Sequence, residues 1–276
     1  MSGYAVLVNT CDRFEDCWEP FFKLFSQYWP DYKGKIYLNT EYKDFSYPGL
    51  DIVPLKVCAA HNVPKTRRAA WSQCLIWALD MVQEQIILYM QEDYFLKDNV
   101  KGDIVEEYAD LMDKELHIEN IQLTDVCDPS GAASGFPHLC HAKKGPYLVC
   151  TQAALWRKDC LRSLLRRYES AWNFEWWGSK RAAIKECDFY VVDKQWVRQG
   201  EFEIVPYIFT GVVGGRWFPP VVELFDSHDI HIDYSRRGFH RADRKLSLKE
   251  KITGKFRRYP SHAKSVLSIL CLKMGL

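Results

Sequence analysis

The feature that most constrains the fold is an apolar segment that ends in two carboxylates. Residues 85–93 read QIILYMQED, and an apolar run resumes at once with Tyr94. A continuous apolar run of this length is typical of a strand buried on both faces of a parallel sheet. Carboxylates at the end of such a strand are costly unless they are paired, hydrogen-bonded or bound to a metal. The segment therefore predicts a buried strand and a functional role for Glu92 and Asp93, and the alternative is that the two acids only begin a surface loop.

Helical and extended patterns alternate around this segment. Apolar runs and apolar residues at helical spacing predict strand, helix, strand, strand and helix, in that order, at 4–9, 15–29, 35–40, 51–57 and 64–84. Such alternation predicts an α/β fold with a mostly parallel central sheet flanked by helices. Ligands in these sheets bind beyond the carboxyl ends of the strands. The loop TCDR at 10–13, the stretch after Val57 and QEDY at 91–94 should therefore meet at one crevice.

The remainder of the chain continues the pattern. Helices are predicted at 100–115, 159–170, 172–186 and 219–228, and strands at 117–123, 146–158 and 201–217. The segment 124–140 is rich in Gly, Pro, Ser and Asp, so it is predicted to be a loop or lid.

The bulk composition predicts a globular protein inside the cell. Of the 276 residues, 47% are hydrophobic and 26% are charged, which is ordinary for a globular protein. No apolar run approaches the length that spans a bilayer, and the first residues lack the basic lead of a signal peptide. The ten cysteines include no CxxC pair, which fits reduced thiols in a reducing compartment.

Charge is distributed unevenly along the chain. Residues 235–276 contain twelve Lys or Arg and two Asp or Glu, a balance of +10, so the other residues carry −9. This predicts a domain at 1–234 and a basic, partly amphipathic C-terminal extension at 235–276. The extension is expected either to lie on an anionic membrane at the cytoplasmic face or to pack on the acidic body. No nucleic acid partner is predicted.

Four motifs together resemble a known family. The first strand ends in TCDR, the next long helix carries KTRRAAWSQCL, the buried strand ends in QED, and WNFEWWGSKRA follows at 172–182. This series resembles the GT-A-fold glycosyltransferases that use nucleotide sugars, over roughly residues 4 to 234. It is most similar to the family-2-like enzymes of bacterial capsule and lipopolysaccharide assembly. The resemblance implies a GT-A-like single domain with a Rossmann-like, mostly parallel sheet.

The resemblance also implies roles for the acidic triplet. The family carries an Asp-x-Asp motif at this place, whose last acid, here Asp93, holds a divalent metal. A hard cation such as Mn²⁺ or Mg²⁺ suits carboxylate oxygens and the donor diphosphate. The first acid of the motif usually contacts the ribose, and Gln91 stands there instead. Gln91 can hydrogen-bond a hydroxyl but brings no charge, and Glu92 is expected to compensate as a second metal ligand.

Further donor contacts are expected from the first loop and the second helix. Thr10, Asp12 and Arg13 follow the first strand, so they are predicted to bind the nucleotide, although Asp12 is nearly as suited to capping the next helix. Arg67 and Arg68 are predicted at the start of a helix that faces the crevice, where guanidinium groups suit phosphate. The alternative for each arginine is an exposed charge on the helix.

Glu175 is the predicted general base, because the family often carries an acid at the start of an acceptor-side helix. Its alternative is an acid favoured by the helix dipole. Trp176 and Trp177 are expected to stack on an acceptor sugar or to fill the core. His228, His231 and His240 are candidates for a late diphosphate or metal contact, and the sequence does not choose among them.

The sequence thus predicts a cytoplasmic enzyme that moves a sugar from a nucleotide-diphosphate sugar to a hydroxyl of a glycan or lipid-linked glycan, with inversion. A sugar nucleotidyltransferase is the enzymatic alternative, although TCDRFED lacks the glycine-rich loop that such enzymes carry after the first strand. The other alternative is a catalytically silent module that binds a glycan or another partner on the same fold.

Overall fold

The computed structural model describes residues 3–241 and 248–275. The strands of the central sheet are β1 (Tyr4–Asn9), β2 (Ile36–Asn39), β3 (Ile52–Pro54), β4 (Ile86–Gln91), β5 (Asn120–Gln122), β6 (Pro129–Ala133), β7 (Leu139–Ala142), β8 (Ala154–Arg157) and β9 (Phe189–Val192). A separate small hairpin consists of β10 (Val212–Val213) and β11 (Arg216–Trp217). The helices are α1 (Glu15–Tyr28), α2 (Val57–Ala60), α3 (Trp71–Met81), α4 (Gly102–Lys114), α5 (Lys158–Leu164), α6 (Ala171–Ile184), α7 (Val221–Asp226) and α8 (Leu248–Lys273).

The central sheet is mixed but mostly parallel. Its strand order is β3-β2-β1-β4-β8-β5-β9-β7-β6. The pairings of β1 with β2 and β4, of β2 with β3 and of β5 with β9 are parallel. Strands β7 and β8 run against their neighbours. A mostly parallel sheet with helices on both faces confirms the Rossmann-like α/β architecture expected from the sequence.

The inner strands contribute alternate side chains to two apolar layers, one on each face of the sheet, because successive residues of a strand point to opposite faces. Val6 and Val8 of β1 belong to a buried cluster that includes residues of α1 and α4. Ala5 and Leu7 belong to a second cluster that includes residues of α3, α5 and α6. The strand β4 divides in the same way, which explains why its sequence is continuously apolar rather than alternating.

Several predicted elements differ from the structure. The second long helix begins at Trp71 rather than at residue 64, because Pro64 to Arg67 form a hydrogen-bonded turn and Ala70 is extended. The predicted loop 124–140 contains β6 and the start of β7, which extend the edge of the sheet as a hairpin.

Two expected strands are also shorter or displaced. Within 146–158 only β8 is extended, and within 201–217 only β10 and β11 are. The strand β9 was not predicted, because its four apolar residues lie between charged neighbours and are too few to show a period.

The C-terminal helix α8 contacts the body through a buried ion pair. Arg181 of α6 donates to both carboxylate oxygens of Glu169, at 2.9 and 2.5 Å, and both side chains are fully buried. Ser265 of α8, also fully buried, donates to Glu169 Oε1 at 2.8 Å. None of the described helices, α8 included, combines the length and the hydrophobicity that a bilayer span requires.

Residues just before α8 also contact the body. Arg236 and Arg237 pair with Glu15 and Asp16 at the start of α1. The division into 1–234 and 235–276 stays a prediction, and these contacts place the first residues of the predicted extension against the domain.

We expect Glu169→Ala to destabilise the protein by about 3–5 kcal/mol, because it leaves the buried Arg181 charge without a partner. Ser265→Ala removes one hydrogen bond to the same carboxylate and is the matched comparison, with an expected loss of about 0.5–1.5 kcal/mol. Urea unfolding measures both. Equal losses in the two variants would show that the ion pair does not hold this region, and Glu169→Gln gives the answer if Glu169→Ala fails to fold.

Candidate active site

Three amide side chains form a row across the carboxyl ends of the parallel strands. Asn9 of β1 lies opposite Asn39 of β2 and Gln91 of β4 in the strand register. Asn39 Nδ2 donates to Asn9 Oδ1 at 2.7 Å, and Asn9 Nδ2 donates to the Tyr89 hydroxyl at 3.1 Å. The row lies at the strand ends, where the alternating pattern predicts a ligand crevice.

Asp12 joins the loops that follow β1 and β2. Its carboxylate accepts the backbone N–H groups of Glu41 at 2.8 Å and Tyr42 at 3.0 Å. In return, Glu41 Oε2 accepts the N–H of Asp12 at 3.2 Å. Asp12 therefore shapes the first loop, and burial raises the pKa of Glu41, with the Asp12 charge as a second cause.

Glu92 is buried against the first loop. Its carboxylate interacts with the Thr10 hydroxyl, which also accepts a hydrogen bond from Trp18 Nε1 at 2.8 Å. Burial raises the pKa of Glu92 well above its ordinary value, and the neighbouring Asp93 raises it further. Thr10, a predicted donor contact, thus lies in direct contact with the acidic triplet.

Asp93 is held by the segment that leads into β10. Its Oδ2 accepts the Thr210 hydroxyl at 2.8 Å and the Val212 N–H at 3.1 Å, and its backbone carbonyl accepts the Gly211 N–H at 2.8 Å. Burial raises the pKa of Asp93, while the bonds from Thr210 and Val212 lower it. A Cβ on Gly211 would lie 2.9 Å from the Asp93 carbonyl, so this close approach requires glycine.

The donor set of the two acids fits a hard divalent cation. Within the described ranges, neither carboxylate forms an ion pair with lysine or arginine. Arg237 lowers the pKa of Glu92, but its guanidinium is paired with Asp16. Two adjacent buried carboxylates without a paired cation are the oxygen ligands that Mg²⁺ and Mn²⁺ prefer.

A chain of hydrogen bonds links the triplet to Glu175. Gln91 Nε2 donates to the Tyr94 hydroxyl at 2.8 Å and to the Thr151 carbonyl at 3.3 Å, and the Tyr94 hydroxyl donates to the same carbonyl at 2.6 Å. The N–H and hydroxyl of Thr151 then donate to Glu175 Oε1, at 2.8 and 2.7 Å. Gln91, at the end of β4, is therefore connected to Glu175 of α6.

The tryptophans near Glu175 differ in exposure. Trp177 is 5% exposed and packs against His262 of α8, with ring centroids 4.9 Å apart. Trp176 is 51% exposed and Trp172 is 77% exposed. Since residues four apart share one face of a helix, Trp172 and Trp176 form an exposed aromatic face beside Glu175. Trp177 fills the core, which was its alternative role.

Arg67 and Arg68 lie on a loop rather than at the start of a helix, since both precede α3, and both are exposed. Arg13 is exposed in a short 3-10 helix, Asp12–Phe14, that follows β1. The charges of Arg68 and Arg13 both lower the pKa of Glu41, so both guanidinium groups act on the crevice. The structure assigns no comparable contact to Arg67.

The three candidate histidines are separated. His228 lies against the Tyr28 hydroxyl at 2.6 Å, at the end of α1 that is remote from the crevice. His231 is exposed. The N–H of His240 donates to the Trp217 carbonyl at 2.8 Å, close to Arg237.

Sequence reasoning missed several residues of this site. Asn39 and Glu41 had a signal, because β1 ends in VNTCD and β2 ends in LNTEY, so the two strands end in the same Asn-Thr pair. Thr151 and Thr210 had none, since each meets its acid only through long-range contacts.

Comparison with known proteins gives likenesses of structure only. No family model matches the sequence, and no curated protein matches it. S. aureus TarS residues 1–349 align at 11% identity and a TM-score of 0.42, over 68% of this chain and 57% of that one. A mycobacterial protein aligns at 12% identity and a TM-score of 0.42, over 88% and 77% of the two chains.

A third solved structure, the galactosyltransferase LgtC in complex with donor and acceptor sugar analogues, aligns at 11% identity and a TM-score of 0.34, over 85% of this chain and 82% of that one. The chain spans little more than half of the TarS 1–349 length and 46% of a longer TarS chain. Scores of this size carry no argument about activity, which therefore has to be argued from the residues of the site.

We expect Glu92→Gln to raise the melting temperature of the metal-free protein at neutral pH. Burial raises the pKa of this acid, so the folded state binds protons more tightly than the unfolded state and loses stability as pH rises from about 4 toward the folded pKa. The amide removes that loss, and each kcal/mol recovered raises the melting temperature by about 2–4 °C in a domain of about this size.

The measurement is thermal unfolding with a chelator across pH. Glu107→Gln, on the exposed side of α4, is the control and should change nothing. The gain in Glu92→Gln should shrink as pH falls toward about 4, where the wild-type carboxyl is also protonated in the unfolded chain. A variant no more stable than wild type at neutral pH would refute the assignment of a strained buried acid.

Proposed function

We propose that the protein is a glycosyltransferase that moves a sugar from a nucleotide-diphosphate sugar to a hydroxyl of a glycan or lipid-linked glycan, inside the cell and with inversion. The observation that carries this proposal is the chain Gln91–Tyr94–Thr151–Glu175, which connects the buried acidic pair to a single acid on the opposite side of the crevice. Glu92, Asp93 and Glu175 also share one environment, because all three raise the pKa of Tyr89.

The donor side of the crevice consists of the strand ends. The first loop and the Glu41 loop, joined by Asp12, form the wall for the nucleotide. Arg68 and Arg13 supply positive charge for the diphosphate, which Arg67 is less well placed to do. A diphosphate leaving group needs such positive charge, since it departs more negative than it arrived.

Asp93 and Glu92 would hold Mn²⁺ or Mg²⁺ against the diphosphate. Bound there, the cation would neutralise charge on the leaving group. Thr210 and Val212 fix the Asp93 carboxylate by its Oδ2, and Thr10 contacts Glu92, so both acids are oriented before any ligand binds.

Glu175 is placed to act as the general base. Its Oε1 already accepts two hydrogen bonds from Thr151, so the proton of the acceptor hydroxyl would pass to Oε2. A carboxylate held by two donors keeps its orientation when the acceptor binds, and such positioning is what proton transfer requires. The exposed face of Trp172 and Trp176 lies within one helical turn of this acid, where sugar rings could stack on it.

A nucleotidyltransferase remains the second candidate, because it would also place a nucleotide and a metal at the strand ends. It has no evident use for the Thr151–Glu175 pair or for the aromatic face beside it. Slow hydrolysis of a nucleotide sugar to the nucleoside diphosphate by the purified protein supports glycosyl transfer. Release of pyrophosphate from a nucleoside triphosphate and a sugar phosphate supports the alternative. If the protein catalyses neither reaction, the result supports a silent binding module.

Asp93→Asn is expected to weaken Mn²⁺-dependent nucleotide binding at least about tenfold while the fold survives. The amide oxygen can still accept from Thr210 and Val212, so the loop keeps its anchor although the charge is lost. Calorimetry with a nucleoside diphosphate, with and without Mn²⁺, measures this. Thr210→Val is the matched control, since it removes a hydrogen bond to the same oxygen without changing the charge. Equal metal dependence in Asp93→Asn and wild type would refute the metal role.

Glu175→Gln is expected to keep nucleotide binding and to lower turnover by about 10²–10⁴-fold, because an amide cannot accept the acceptor's proton. Its oxygen can still accept from Thr151, so the melting temperature should change little. Glu107→Gln again serves as the control. Turnover within a few-fold of wild type would defeat the assignment, and the anomeric configuration of the product by NMR tests inversion separately.

A further inference from the structure

The C-terminal part of α8 contacts the body through serine residues. Ser265 is fully buried and donates to Glu169 at 2.8 Å, and the Ser268 hydroxyl accepts from Arg166 Nε at 2.8 Å. A helix that covers a globular core usually does so with its apolar stripe. Here small polar side chains make the hydrogen bonds, Ile269 and Leu272 are half-buried, and the other large apolar residues of this part of the helix lie elsewhere.

Those apolar residues are exposed on the opposite face. Leu267, Leu270 and Met274 are 61%, 50% and 64% exposed, and Val266 beside them is 39% exposed. Residues spaced by three, four and seven positions share one face of a helix. The helix therefore presents a continuous apolar stripe away from the body.

The surrounding sequence is strongly basic. Arg236 and Arg237 are already paired with Glu15 and Asp16. From residue 238 to the end, ten Lys or Arg remain against two Asp or Glu, a balance of +8. Among the described residues of this stretch, Lys264 and Lys273 are exposed beside the apolar stripe.

We propose that the exposed apolar face of α8, defined by Val266, Leu267, Leu270 and Met274, docks on an anionic membrane surface. Apolar side chains on a basic helix enter the boundary between headgroups and acyl chains while Lys and Arg contact anionic lipid headgroups. A second copy of the chain is a poorer occupant, because a two-fold interface through this face would bring two +8 segments together.

Docking through this face leaves the contact with the body intact. The buried Ser265–Glu169 bond fixes α8 to the segment just before α6, which carries Glu175. A membrane-bound α8 would therefore hold the candidate acceptor side at a fixed height above the lipid surface. This consequence rests on the proposed transferase function, whereas the docking itself does not.

The test is co-sedimentation of the full chain with vesicles of phosphatidylcholine, alone or mixed with phosphatidylglycerol. Leu267→Glu is compared with Leu116→Glu, since Leu116 is 72% exposed on another part of the surface and the two substitutions add the same charge. We expect binding to the mixed vesicles that weakens with salt, and at least about tenfold weaker binding for Leu267→Glu alone. Circular dichroism and the melting temperature verify that both variants fold.

Three results would overturn the proposal. The first is that the wild type does not bind anionic vesicles at low salt, and the second is that the two variants bind equally. The third is that light scattering shows a wild-type dimer that Leu267→Glu dissociates, while neither protein binds vesicles. Nucleotide-sugar hydrolysis is measured on the same samples without vesicles. Its presence or absence reports on the transferase proposal and leaves the docking result independent.

Discussion

The buried ion pair between Glu169 and Arg181 is the contact on which the arrangement of the helices depends. Its carboxylate also accepts from Ser265 of α8, and its backbone carbonyl accepts the N–H of Ser72 in α3. A buried pair contributes little net stability compared with apolar side chains of the same volume. Its bidentate geometry, however, fixes direction, so the Glu169 side chain orients α6 and α8 while its backbone carbonyl holds α3. The position of Glu175 on α6 follows from that contact.

The two buried acids at the carboxyl end of β4 lower the stability of the fold, and the same acids give the site its proposed chemistry. Burial raises the pKa of both Glu92 and Asp93, and an apolar pair there would fold more readily. Bonds from Thr10, Thr210 and Val212 keep the acids aligned, and no lysine or arginine of the described residues forms an ion pair with them. Oriented carboxylates without a paired cation are the ligands that the proposed divalent metal would require, so the cost in stability and the proposed function have one cause.

The sequence predicts the central elements well because their signals are local. The strands β1 and β4 show continuous apolar runs and the helices α1 and α4 show strong periods, and the structure confirms them. The predicted start of α3 was wrong because the turn at Pro64 has a helix-like sequence. The strand β9 was missed because four residues are too few to show a pattern. The acids of the candidate site were visible at a strand end, whereas Thr151 was not, since only the antiparallel β8 beside β4 brings it to Gln91.

The C-terminal helix shows why a hydropathy pattern alone leaves its partner open. The apolar residues of α8 predicted a face, and two partners were equally consistent with it: the acidic body and a membrane. In the structure the serine face contacts the body, through the hydrogen bonds that join Ser265 to Glu169 and Ser268 to Arg166. The apolar stripe faces away from these contacts, and the membrane docking proposed above would use it together with the +8 charge of the residues from 238 onward. The two expectations do not exclude each other, since they concern opposite faces of one helix.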